Sequence, residues 1–452
     1  MESLSSVYAA FVTECRYENL DAEVVLQAKK LLLDGLGVSL AGYQLMEFPR
    51  IVVDYMAELG GKEEATLIGK KRRIPAINAL FGNASCAHAL DMDDGHRFGA
   101  VHPGTVIIPC ALAAAELAAA DPKTLIAGIV AGYEVMIRLG MAIVPSSLTR
   151  GFHITGITGP LGAAATVGKI MGLSREEMVG AFGIAGLQGA GLIRTNHEPV
   201  GAKVKPINPA RAATAGLLAC VFARRGARGP LEIFEGEDGY FKAFTDQLKP
   251  EFLTADLGKK YEILNTYVKL YAACRHTHAP IDAALILLKR GEMAVSDISR
   301  IMVETYPAAI RLAGISHATT PTAGRFSIPF SIALALMKGD AGAAQYSDAN
   351  IGDEEIQKLS AKVQVGVGRK WEESYPAKRG ATVRMIDSRN RESFVEVDLA
   401  KGEPENPASW EEVYQKFCSN ASLLIPQEEA GKLGEKIIHL EESAIEELVK
   451  LI

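Results

Sequence analysis

Long stretches of this chain carry side chains too small to fill a core by themselves. Gly162-Ala163-Ala164-Ala165, Gly180-Ala181, Gly183-Ile184-Ala185-Gly186 and Ala212-Ala213-Thr214-Ala215-Gly216 all fall in segments with helical character. Glycine and alanine let helix backbones approach closely, so these runs call for many helices buried against one another. Charges and prolines interrupt them, which argues against the membrane use of such motifs. The expected frame is a compact helical bundle.

Terminus signals agree. Residues 21–40 place Val25, Ala28, Leu32 and Leu36 at helical spacing. Asp121-Pro122 is a cap followed by proline, opening a helix through Leu139. Ser174-Arg175-Glu176-Glu177 reads as a capping box ahead of 178–187, and 209–225 is a further Ala-rich helix ended by Gly226. The character changes near Tyr261. Residues 261–271 read as extended, and 297–306 and 362–367 as strands. Segments 381–386 and 393–399 flank Asp387-Ser388-Arg389-Asn390 and read as a hairpin. Residues 280–288 and 328–337 look helical between them. After the polar linker 401–407, Ser409-Trp410-Glu411-Glu412 gives a second capping box, and an amphipathic helix is expected from about Glu441 to Ile452.

At 452 residues the chain is too long for one ordinary core. The expected fold is mostly α: a large helical domain, residues 1–263 completed by 400–452, with an inserted α+β domain at 264–399. No internal repeat or low-complexity tract stands out.

The net charge of -6 argues against a nucleic acid or anionic membrane as partner. Positive contacts to an anionic substrate must then be local. The six cysteines are scattered without a Cys-x-x-Cys pair, as expected of free thiols in a reducing compartment. The first residues lack a basic region followed by an apolar run, and 107–120 is too short to span a bilayer. A cytoplasmic protein without a membrane partner is the expectation.

Chemistry concentrates in His88-Ala89-Leu90-Asp91-Met92-Asp93-Asp94-Gly95-His96, closely followed by His102-Pro103-Gly104. Three carboxylates and three imidazoles fall within fifteen residues. Such a cluster between apolar stretches is costly unless its members are paired or functional, and these groups move protons near neutral pH. A metal site is the less favoured use, because neither His-x-x-x-His nor Glu-x-x-His spacing occurs here. The bland alternative has Asp91 and Asp94 capping the next helix or pairing with basic residues. His153, in Gly151-Phe152-His153-Ile154-Thr155-Gly156, is either a surface loop histidine or a donor to an anion at a helix start. Lys203, Lys205 and Arg211 precede an apolar helix and form a local positive patch able to hold a carboxylate; for Lys203 alone a solvated turn is the better reading. The run from Lys269 to His278 lies at the expected domain junction, a favoured place for small-molecule sites. Cys274 within it reads as a structural thiol, since nothing positions an oxyanion hole. No Gly-x-Ser-x-Gly, P-loop or dinucleotide fingerprint occurs.

Taken in order, HALDMDDGH with HPG, GFH before a Gly/Ala helix, KVKPIN, VKLYAACRHTH and RFSIPFSIALAL resemble the MmgE/PrpD family over nearly the whole chain. That family includes 2-methylcitrate dehydratase, cis-aconitate decarboxylase and iminodisuccinate epimerase. The resemblance implies a helical domain with a smaller α+β lid, arranged as a homodimer. It implies a site in the cleft between them with no cofactor and no metal, and small polycarboxylate substrates. Carried over by motif, the site is Asp91, His102, His153, Lys205 and Lys269, with His278 as a further candidate. His102 is expected as the main acid/base and Asp91 as its orienter. Lys205, Lys269 and His153 are expected to anchor substrate carboxylates, with His153 near enough to share in the proton chemistry.

Three departures bear on the reaction. Gly95 stands where decarboxylase-like members carry threonine, the loop from Asp91 to His102 is one residue longer, and Phe330 replaces an expected tyrosine. These argue against cis-aconitate decarboxylase and leave dehydratase and epimerase both open, with a lyase of the dehydratase type as the leading expectation. A dicarboxylate epimerase is the alternative, cis-aconitate decarboxylase is less favoured, and a non-catalytic carboxylate-binding protein is the contrasting class.

Overall fold

A computed structural model describes residues 2–194 and 203–452. Helices dominate. Ala22–Leu45, Gly104–Ala118, Pro122–Ile143, Ile154–Met171, Arg175–Gly186 and Ile207–Arg224 lie against one another in the first half. The small residues account for their closeness. A Cβ on Gly132 would meet Thr166 Oγ1 at 1.9 Å, and one on Gly216 would meet the Ala163 Cβ at 2.3 Å. Asp121 accepts from the amides of Lys123 and Thr124, and Ser174 and Ser409 each close a full capping box. Pro122–Ile143 is long and apolar enough to cross a membrane, yet its apolar window is wholly buried in the fold.

Two short ladders interrupt the helical half. β1 (Ala65–Leu67) pairs antiparallel with β2 (Arg72–Ile74), and β3 (Gly95–His96) pairs with β4 (Thr266–Tyr267). The one larger sheet lies further on, in the order β6-β5-β7-β8, formed by β5 (Ile298–Thr305), β6 (Val363–Val367), β7 (Ala381–Asp387) and β8 (Glu392–Val397). β5 and β6 run parallel; the other pairs are antiparallel. The helices His278–Arg290 and Ile328–Lys338 pack with this sheet.

Expectations fail at two places. Residues 261–271 form a 3₁₀ turn, Glu262–Asn265, and only the two-residue β4. The final amphipathic helix is a 3₁₀ turn, Leu440–Glu442, and a short helix, Ile445–Val449. In both, tertiary contacts override a local pattern too short to hold an element alone.

Buried apolar residues form two main clusters. One gathers Leu32, Ile107, Ile129, Leu161, Phe182 and Ala213 with Val413, Phe417 and Leu433 from the chain's end. The other gathers Ile281, Ile301, Phe330, Trp371 and Val383. Val38, Ala41, Leu90 and Met92 come from the first half but belong to the second cluster. The loop containing Asp91 and Asp93 therefore runs along the boundary between the two.

Candidate active site

The helix Ala76–Ala87 ends at His88, and Gly104–Ala118 begins just after His102. The chain between them is held in an unusual shape. Asp91 takes a left-handed backbone (φ 54°), uncommon for a non-glycine residue. Its neighbours Leu90 and Met92 bury in the second core. Lys416, from the helix Trp410–Ala421, donates to the Met92 carbonyl at 2.9 Å and pairs with buried Asp34 at 2.5 Å.

The carboxylates divide the work. Asp93 Oδ2 lies 2.8 Å from His102 Nδ1 and 3.1 Å from His88 Nδ1. Burial pushes the Asp93 carboxyl up, but the two imidazoles overcome this and hold it well below the usual range. Asp91 accepts from Lys205 Nζ at 2.8 Å and lies 3.4 Å from Lys269 Nζ, which also donates to the Asp91 carbonyl at 2.7 Å. Burial opposes its ionisation too, and the lysines, Lys205 first, hold it well below the usual range. Asp94 accepts from the Gly104 amide at 2.9 Å, capping that helix, and from the Tyr133 hydroxyl at 2.6 Å. Burial pushes the Asp94 carboxyl up to about 7.

The expected pairing is thus corrected: Asp93, not Asp91, orients His102, and Asp91 instead ties the two lysines together. Residues 91 and 93 have the same parity in an extended segment, so the sequence did not separate them. Asp94 takes the capping role.

His102 is the accessible imidazole, its side chain 20% exposed. Its Nδ1 also faces the Asp94 carbonyl at 2.7 Å. A carbonyl only accepts, so Nδ1 carries the hydrogen, and in the neutral ring Nε2 carries the lone pair. His153 caps the helix Ile154–Met171 by accepting from the Gly156 amide at 3.3 Å through Nδ1, which leaves Nε2–H as its donor. Burial, then His88 and Lys205, hold the His153 pKa well below its usual value, so it is neutral. The His88 ring lies 5.1 Å from that of His102 and 5.7 Å from that of His153. Burial pulls the His88 pKa down to about 4, against the pull of Asp93. His88, Asp93 and His102 bring ligand-type atoms within 4.8 Å of one another, a spacing a metal could use. The shared Asp93 oxygen already accounts for it.

His278 does not fit its expected role. It is fully buried, its Nδ1 lies 3.0 Å from Arg275 Nη1, and its Nε2 lies 3.1 Å from the Ala273 carbonyl. Both nitrogens are spent, and none is left for a substrate. It opens the helix His278–Arg290, two residues ahead of the expected start at Pro280, on the same buried face as Ile281. His276 is the histidine overlooked. Its Nδ1 lies 2.6 Å from the Tyr306 hydroxyl, and burial, then Arg379 and Lys269, pull its pKa down to about 3.

The departures have structural reasons. Gly95 pairs with Tyr267, and a Cβ there would meet the Tyr267 hydroxyl oxygen at 2.3 Å. No side chain fits, and the nearby hydroxyl is supplied by Tyr267. Phe330 is fully buried in the second core, with its ring 6.3 Å from that of Tyr346.

Clustered donors, acceptors and an accessible imidazole suit proton transfer on an anion held by lysines. Known proteins point to the same family. Residues 7–253 match the MmgE/PrpD N-terminal domain and residues 271–441 the MmgE/PrpD C-terminal domain. The cis-aconitate decarboxylase-like protein oryM of Aspergillus oryzae is 28% identical, with 98% of this chain and 95% of that protein covered. A cis-aconitate decarboxylase of Aspergillus terreus is 30% identical over 76% of this chain and 74% of its own. A 2-methylcitrate dehydratase of Cupriavidus necator is 22% identical over 77% and 74%. With matches to both halves and an order of motifs that runs through the site, the chain belongs to the MmgE/PrpD family.

Proposed function

We propose that the protein is a cofactor-free lyase that moves a proton at a carbon next to a carboxylate of a small polycarboxylate. One observation carries this reading: His102 set on Asp93, beside Lys205 and Lys269 gathered on Asp91. The relatives named for cis-aconitate and 2-methylcitrate support the substrate class.

In this reading neutral His102 takes the α-proton through Nε2, and Asp93 stabilises the imidazolium. The electron pair left on carbon spreads into the adjacent carboxylate, whose added charge Lys205 and Lys269 stabilise. Collapse forms the carbon–carbon double bond and expels hydroxide from the neighbouring carbon. The imidazolium returns the proton to it as water, while His153 Nε2–H hydrogen-bonds the departing oxygen. In this reading residues 1–263 and 400–452 form the domain that holds His102, His153 and Lys205, and 264–399 form the lid, which supplies Lys269. A homodimer in the cytoplasm completes the proposal, and the exposed Leu187, Leu192 and Leu231 suit self-association.

Decarboxylation is a second reading. The higher identity to decarboxylase and decarboxylase-like relatives, 24–30% against 22%, favours it. The presence of an oriented base, His102, together with a neutral donor, His153, for a departing hydroxyl favours dehydration.

Proton NMR in deuterated water tests both, with chelator-treated protein and a panel of 2-methylcitrate, citrate, cis-aconitate and imino dicarboxylates. An unsaturated product from a hydroxy acid is the expected result, read as a methyl doublet collapsing to a singlet for 2-methylcitrate or as a new vinyl signal for citrate. Loss of carbon dioxide from cis-aconitate would select the second reading. Deuterium exchange without a new product would mark an epimerase. Folded protein that exchanges no proton would leave only a carboxylate-binding role.

A further inference from the structure

The buried arginines of this fold are nearly all paired. Arg138 bonds Glu134 and the carbonyls of Ala255 and Lys260. Arg275 bonds Glu403 and the Lys401 carbonyl. Arg325 and Arg379 each keep a buried Nε without a partner and pair with no carboxylate among the described residues, and Arg325 is the more deeply buried of the two, at 2% exposed. Its nearest company is poor for a cation. Nη1 lies 3.5 Å from the Met46 sulfur, a weak acceptor, and the guanidinium carbon lies 5.7 Å from the centre of the Tyr346 ring.

Its position is informative. Arg325 ends the short helix Pro321–Arg325, and its carbonyl accepts from the Cys274 amide at 2.9 Å. That bond ties it to the segment that follows Lys269. The fields of Asp91, Lys269 and Lys205 all reach Cys274, and that of Asp91 reaches Arg325 itself. Met46 lies across the boundary, between the helices Ala22–Leu45 and Glu47–Leu59. The guanidinium thus lies where the two halves meet, against Met46 from one and on the backbone that holds Cys274 from the other. Asp91 is already shared by two lysines. A buried guanidinium without an anion is strongly unfavourable, so a fold retains one where an anion arrives from outside.

We propose that Arg325 receives a carboxylate of the substrate, distinct from the one held by Lys205 and Lys269. This rests on the functional reading above and narrows it. The substrate carries carboxylates on at least two carbons, and its binding neutralises a charge at the junction between the two halves. The planar fork of arginine suits bidentate capture of that group, which a lysine would hold less well.

Calorimetric titration of the full-length protein with propane-1,2,3-tricarboxylate tests this, using butyrate as the single-carboxylate control. Wild type should bind the tricarboxylate and not butyrate. R325M should lose at least tenfold in affinity and R325K severalfold. Without ligand, R325M should melt no lower than wild type, because it removes a buried charge that has no carboxylate partner among the described residues. Unchanged affinity in R325M would overturn the assignment while leaving the functional reading intact. So would failure of R325M to fold, since Arg325 would then be holding the core through Tyr346. A wild type that binds no di- or tricarboxylate would overturn the functional reading, and this inference with it.

Discussion

In the loop between His88 and His102, two imidazoles lean on one carboxylate, and His102 keeps an accessible ring. In the segment from Lys269 to His278, the two histidines are tied down separately, His276 to Tyr306 and His278 to Arg275 and Ala273. Both stretches are rich in histidine and sit near Asp91. What separates His102 from His278 is the number of polar atoms left unspent once folding has taken its share. A buried histidine with both nitrogens bonded is a structural part; one with an open nitrogen and an oriented ring can do chemistry.

Substitutions can break this contrast, and the largest effect belongs to the first loop. H102A should lower kcat about a thousandfold while polycarboxylate binding survives, measured by steady-state kinetics and calorimetry. A smaller loss would move the acid/base role elsewhere. D93N should follow it, losing about a hundredfold in kcat, whereas D91N should act mainly on KM by releasing the lysines. Equal effects of D93N and D91N on kcat would erase the division drawn between the two carboxylates.

The second stretch should respond in the opposite currency. H278A should cost about 1–3 kcal/mol of stability in denaturant titration, because it strands the Arg275 and Ala273 partners, and leave kcat of the folded enzyme unchanged. A large loss of kcat there would show that His278 acts in the reaction after all.

A finer test uses Asp94, whose pKa is raised to about 7 by burial. A group raised in the folded state adds stability below its unfolded value, near 3.9, that is lost as pH rises through the folded value. The advantage of wild type over D94N in thermal melts should therefore shrink between about pH 4 and pH 7. A gap that widens over that range would show that Asp94 is ionised as it caps its helix. The smallest expected effect is that of chelation: treatment with EDTA should leave turnover unchanged. Lost activity restored by a divalent ion would turn the His88–Asp93–His102 cluster into a metal centre.

The residue types of the site were legible in the chain, and their pairing was not. Small-residue runs, capping boxes and the strand of 298–305 follow from local rules, and the fold obeys them. The gathering of Asp91, Lys205 and Lys269 joins residues far apart in sequence, and only the shared motif order hinted at it. The exchange of Asp93 for Asp91 turns on a left-handed kink at Asp91 that no propensity announces. His276 and His278 differ by two places, and what separates them is the start of a helix. Arg325 belongs to a motif in the sequence, and its lack of an anion among the described residues shows only in the fold.

The hold of Lys416 on the Met92 carbonyl sets a timetable. The loop that bears Asp91, Asp93 and His102 leaves the ribosome early, but its clamp is the 416th of 452 residues. A nascent chain therefore carries every acid–base group of the first loop long before it can fix them in place. Competence waits on Lys416, and a chain released before that residue would emerge with the loop unclamped.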